Sequence, residues 1–169
     1  DSVKNDTVKV LHLNPSKDAI DFPIDYKAKD SCIFMVQKQK VYLYGSAEIY
    51  YKDIELKAEY VEIDLDKREV FAQGLKDTTD TVRGKPVFKD KSEEFKAETI
   101  RYNFDTKKGI IKEVITEQSG GFLHSKKTKM QANEEIHLKS GKYTTCNLEH
   151  PHFYIQLSKA KVIPDDKIV

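Results

Sequence analysis

From Cys32 onward, Val, Ile, Tyr and Phe alternate with charged residues, most clearly in KVYLYGSAEIYYKDIELKAEYVEIDLDKREVFAQG from Lys40 to Gly74. That period of two suits a pleated strand with one dry and one wet face. A helix over Ile54 to Leu65 would gather Ile54, Ala58, Val61 and Leu65 on one side. It would also leave Leu56, Tyr60 and Ile63 on the other, with Glu55, Lys57, Glu59, Glu62 and Asp64 between, which is a poor amphipathic helix. Strands are therefore expected, with Ile54, Leu56 and Ala58 facing one way. The parity then changes, and Val61, Ile63 and Leu65 continue the apolar face.

The same change recurs 39 positions later, where EFKAETIRYNFDT (Glu94 to Thr106) follows ELKAEYVEIDLDK (Glu55 to Lys67), with five of 13 aligned positions identical. Phe95 and Ala97 precede the step, and Ile100, Tyr102 and Phe104 follow it. A one-residue change of parity turns the apolar set to water unless the chain bends or bulges there, so a bend belongs to the unit. Small Ala58 and Ala97 suit its tight corner. Each unit closes at a turn, DLDKRE and then FDTKKG, and a further strand follows (VFAQG, IIKEV). Weaker echoes are expected in KMQANEEIHLKSGKY, with Met130, Ala132, Ile136 and Leu138 before a Ser140-Gly141 turn. The last is FYIQLSKAKVIPDDKIV, with Phe153, Ile155 and Leu157, then Ala160 and Val162, and a turn at Pro164-Asp165-Asp166. Four thin units in series predict a layered all-β assembly in which each copy covers the next. Charged outer faces and hairpin-like turns favour antiparallel pairing over a β-helix. Residues 1–30, polar with two prolines, read as an extended leader that could donate a strand; 31–169 form the repeat domain.

Composition adds little chemistry. The 169 residues suit one domain, and 29 basic against 28 acidic residues give a net charge of +1, so no nucleic-acid partner is expected. The basic run HSKKTKM (His124 to Met130) reads as a solvated hairpin end. No apolar run approaches the ~20 residues of a membrane-spanning helix. Glu149, His150 and His152 lack a third-ligand pattern for zinc, and Asp64 and Asp66 lack the other oxygens and the glycine of a calcium loop. There is no GxSxG, no phosphate-binding glycine loop and no Cys/His couple in recognisable context, so neither catalysis nor a cofactor is expected. Tyr42, Tyr44, Tyr50 and Tyr51 read as cross-strand packing rather than a sugar or base platform. Cys32 and Cys146 are either two buried thiols or one bridge.

The stretch from Ala47 to Gly74 resembles the repeat of the OstA-like family, the periplasmic domains of lipopolysaccharide-transport proteins. Within that family, Thr144, Thr145, Cys146, Pro151, Phe153, Ala160 and Val162 are similar to the ending of the N-terminal periplasmic domain of LptD-type outer-membrane assembly proteins. The resemblance runs from about Lys40 to Val169. It implies a twisted, V-shaped (β-taco) jelly roll whose apolar groove takes lipopolysaccharide acyl chains while the sugars stay outside. The groove candidates are Leu56, Ala58, Val61, Ile63, Leu65, Phe95, Ala97, Ile100, Tyr102, Phe104, Met130, Ala132, Ile136, Leu138, Ile155 and Leu157. The implied partners are lipopolysaccharide, like domains joined by edge-strand pairing, and an outer-membrane barrel following in the same chain with its lipoprotein plug. The implied location is the periplasm, attached to the outer membrane if a barrel follows. Cys146 matches the motif position whose relatives link to barrel cysteines; Cys32 is the other disulfide candidate, in a context that matches nothing. A stand-alone bridge protein of the same fold, and a structural β-repeat that binds no lipid, are the alternatives.

Overall fold

The computed structural model describes residues 24–90, 93–118, 120–133, 135–163 and 167–169. The turn expected at Pro164-Asp165-Asp166 and most of the leader lie outside them. The strands are β1 Asp25–Lys27, β2 Ser31–Met35, β3 Lys40–Tyr51, β4 Ile54–Asp64, β5 Glu69–Gln73, β6 Leu75–Lys76, β7 Val82–Arg83 and β8 Val87–Asp90. They continue with β9 Glu93–Lys96, β10 Thr99–Asn103, β11 Lys108–Gln118, β12 Gly121–Met130, β13 Ile136–Thr144, β14 Ile155–Ile163 and β15 Lys167–Ile168. A single 3-10 turn, Val36–Lys38, joins β2 to β3. Among the described residues every pairing is antiparallel, and all strands but the small β6–β7 hairpin belong to one connected sheet.

That sheet is folded along one line. Inward-facing residues step by three instead of two from Ala58 to Val61 in β4, Ala97 to Ile100 between β9 and β10, and Ile111 to Val114 in β11. The step continues from Ser125 to Thr128 in β12, Leu138 to Gly141 in β13 and Leu157 to Ala160 in β14. The register places these steps side by side: Ile100 opposite Ile111, Ile111 opposite Thr128, Thr128 opposite Leu138 and Leu138 opposite Ala160. The repeated parity change is thus a crease crossing the whole sheet. In β3 the same line carries a bulge between Tyr44 and Ala47, with Gly45 and Ser46 at φ 77° and 44°. Glu113 (φ 48°) and Ser140 (φ 57°) hold the left-handed conformation where β11 and β13 cross it, which non-glycine residues adopt only at a cost. Glycine suits the positive φ of Gly45, where a Cβ would also displace the Asp30 carboxylate, 2.3 Å away.

The crease separates two arms. β4 illustrates the division: Tyr60 to Asp64 pair with β5 in the first arm, and Ile54 to Lys57 pair with β8 in the second. At Glu59 the backbone N–H donates instead to Gly84 O (2.9 Å). β11 changes partner likewise, from β10 to β9. Ser140 and Gly141, expected as a turn, therefore lie inside β13 at the crease. The HSKKTKM run is not a hairpin end either; it is the body of β12, with Lys126 and Lys127 adjacent and exposed because the parity step falls there.

The two full copies stack through their turns. Asp64 Oδ1 accepts from Lys67 N (2.9 Å), and its counterpart 39 residues on, Asn103 Oδ1, accepts from Thr106 N (2.8 Å). Asn103 Nδ2 donates to Lys67 O (2.8 Å), and Arg68 Nη1 donates to both carboxylate oxygens of Asp105, each at 3.0 Å. The first copy's turn is thus held by the second.

Candidate functional site

The inner faces of the two arms pack on one another. The first arm contributes Val41, Leu43, Val61, Ile63, Val70, Ala72, Ile100, Tyr102, Ile111, Met130, Ile136, Leu138 and Val162. The second contributes Ala47, Ile49, Tyr51, Leu56, Ala58, Phe88, Phe95, Ala97, Val114 and Leu123. Rings bridge the arms: Tyr51, at the end of β3, meets Phe104 edge-on at 4.9 Å between centroids, and Phe88 meets Tyr102, tilted, at 5.8 Å. Edge-to-face rings at such spacing attract beyond their area burial. They close the arms over the middle of the track. Aromatic packing is also where Tyr51 and the Tyr44–Tyr60 pair (5.1 Å) are found.

Twelve of the groove candidates are buried on this inner face: Leu56, Ala58, Val61, Ile63, Phe95, Ala97, Ile100, Tyr102, Phe104, Met130, Ile136 and Leu138. Leu65 and Leu157 are partly buried against it. Ala132 is not on it: it is exposed in the turn between β12 and β13, which the bond from Gln131 N to Glu135 O (2.9 Å) closes. Ile155 faces inward by register with Tyr143 but is 64% exposed, since β14 is the last strand of the second arm. The alternation in β3, β5 and β11 carries the same signal and supplies Leu43, Val70 and Ile111, which lie outside the aligned copies.

The track is uncovered at its ends. β2 is exposed along its length, and its Cys32 and Phe34 (43% exposed) share the inward register of Leu43 and Val41. At the other end Ile155, Phe153 (60%) and Tyr154 (45%) are exposed. Between Ile155 and Ala160, no described strand pairs with the outer edge of β14. One end thus presents β1 and β2 as free edges, and the other presents β14.

Few polar groups enter the interior. Thr116 Oγ1 donates to Glu94 O (2.9 Å), whereas Thr128 Oγ1 is buried with no hydrogen-bond partner among the described residues. At the rim, burial raises the Asp64 carboxyl pKa, but the Lys67 N–H and Lys40 ammonium outweigh this and hold it below the ordinary carboxylate value.

The Thr144-Thr145-Cys146 motif builds a strap. Thr144 Oγ1 accepts from Cys146 N (3.0 Å) and donates to Phe153 O (2.6 Å), and Lys85 pairs with Glu149 (2.9 Å). The strap overhangs a hollow of about 550 Å³ on the outer face at the crease, lined by His124 among others. His124 is partly buried; desolvation chiefly, with Lys142 and His150 nearby, lowers its pKa against the pull of Glu149. Cys32 and Cys146 are both free thiols, the latter with Sγ 4.0 Å from His152 Nδ1. Among the described residues no group of three or more His, Cys, Asp or Glu side chains is placed to hold a metal.

No protein-family model and no curated protein matches the sequence. Among solved structures, the chain is similar to LptH, described as the LptA-homologous periplasmic component of the conserved lipopolysaccharide transport device from Pseudomonas aeruginosa. The TM-score is 0.58, over 85% of this chain and 96% of that one, at 14% sequence identity. At that identity the likeness is one of fold, and the fold is an all-β antiparallel jelly roll.

Proposed function

We propose that this chain is an OstA-like domain that conducts lipopolysaccharide through the periplasm, holding acyl chains along the inner faces of its two arms. The observation that carries the reading is the continuous inward apolar parity on both sides of the crease, left uncovered at both ends beside free edge strands. Each CH₂ moved from water into such a track contributes about 0.8 kcal/mol, so acyl chains need no catalytic group to be retained. Free edges at both ends suit strand addition by like domains.

Within that reading, the Thr144-Thr145-Cys146 strap favours the N-terminal periplasmic domain of an LptD-type assembly protein, which would pass the lipid to a barrel at the outer membrane. The stand-alone bridge of the same fold is the alternative, in keeping with the likeness to LptH. A disulfide from Cys146 to a barrel cysteine, seen as a mobility shift on a non-reducing gel and lost in Cys146→Ser, distinguishes the first. The close packing of the middle of the track supports a third reading, a structural module that binds no lipid. Titration separates it: lipopolysaccharide is expected to bind and its deacylated oligosaccharide is not. Equal binding of both, or of neither, contradicts the conduit.

A further inference from the structure

The outward face of the first arm is strongly basic across its last four long strands. The register sets Lys112 opposite Lys127, Lys127 opposite Lys139, and Lys139 opposite Lys159, so four exposed lysines stand in one row across β11 to β14. With strands ~4.8 Å apart, the row is about 14 Å long. The next row carries Arg101, Ile110, Lys129, His137 and Lys161, and Lys108 lies beyond it. Arg101 is paired with Glu69, and Glu135 serves both Lys161 and His137. Lys108, Lys112, Lys127, Lys129, Lys139 and Lys159 form no ion pair among the described residues, although Glu98 and Glu113 border the row at the crease. Like charges directly opposite in a sheet destabilise it, so the row costs stability that a distributed arrangement of the same charges would not. The near-zero net charge of the chain conceals it.

We propose that this lysine row docks on the anionic phosphate plane of a lipid bilayer. The lysines stand in line on the outside of paired strands, along the fold of the sheet, and they are flexible point charges that suit a diffuse plane of phosphates better than a shaped, two-pronged site. Single-stranded nucleic acid would need exposed rings for stacking. The ring neighbouring the face, Phe71, already lies 5.1 Å beneath the Arg101 guanidinium. An acidic peptide adding as a strand needs a free edge, whereas these strands are paired on both sides except at β14. The inference rests on register and charge and is independent of whether the interior carries lipid.

Sedimentation with vesicles tests it, using phosphatidylcholine alone and phosphatidylcholine mixed with phosphatidylglycerol. The chain is expected to bind only the anionic vesicles, and less as salt is raised. The quadruple variant K112Q/K127Q/K139Q/K159Q should lose about 10²- to 10³-fold in partition coefficient. A control with the same charge change elsewhere, K57Q/K76Q/K89Q/K107Q, should bind as the parent does, and unchanged or raised melting of the first variant shows that it folds. Equal binding to neutral vesicles, an equal loss in both variants, or binding of single-stranded DNA or polyglutamate but not anionic vesicles overturns the proposal.

Discussion

Phe95 and Ile155 both point inward from the second arm, yet Phe95 is 1% exposed and Ile155 is 64% exposed. The same alternation produced both. What differs is cover: β9 has β8 and β11 on either side, and the Phe95 ring lies 6.2 Å from that of Phe88, while β14 is the last strand of its arm. Parity therefore decides which side chains face the interior, and position in the stack decides whether they are sealed. The middle of the molecule behaves as a core, and its ends behave as an unfinished one.

The largest expected effect exploits that contrast. Phe95→Ala should cost about 3–5 kcal/mol in denaturant unfolding, whereas Ile155→Ala should stay within about 0.5 kcal/mol; similar losses at both would erase the distinction between middle and end. The rim of the first arm offers a smaller effect. Asp64 is held below the ordinary carboxylate pKa, so its contribution is fully present above the unfolded-state pKa of about 4 and fades as pH falls through the lower folded value. Asp64→Asn should cost about 1–2 kcal/mol at neutral pH and flatten the acid side of the stability profile. Its counterpart Asn103 holds the same turn without a charge, so Asn103→Asp should steepen that side.

Two further substitutions probe flaws within the track. Thr128→Val removes a buried hydroxyl with no partner while keeping the shape, and should stabilise by about 1 kcal/mol. Ser140→Gly relieves a left-handed residue at the crease but adds chain freedom in the unfolded state, so the two terms, each about 1 kcal/mol, should nearly cancel. A large loss there would mean that β13 does not bend at Ser140.

The all-β antiparallel class and most of the inner face were legible because alternation survives in the letters. Leu56, Ala58, Val61 and Ile63, with their copies at Phe95, Ala97, Ile100 and Tyr102, show both the face and the step. The turn of the third unit is not at Ser140-Gly141, whose turn chemistry serves a left-handed crease inside a strand. Ala132 was assigned by letter to a face that the β12–β13 turn removes it from. HSKKTKM looked like a loop because two consecutive exposed lysines mark the step. The lysine row was invisible because it is written across four strands, and only register brings its members together.

The most direct measurement of the central claim is a photocrosslinking scan in the presence of lipopolysaccharide, with the reactive residue placed at Ile63, Tyr102 or Ile155 and, one position away, at Glu62, Arg101 or Gln156. Inward positions should capture the lipid and their outward neighbours should not. Equal labelling of both parities, or none at any inward position, would contradict an apolar track that holds acyl chains.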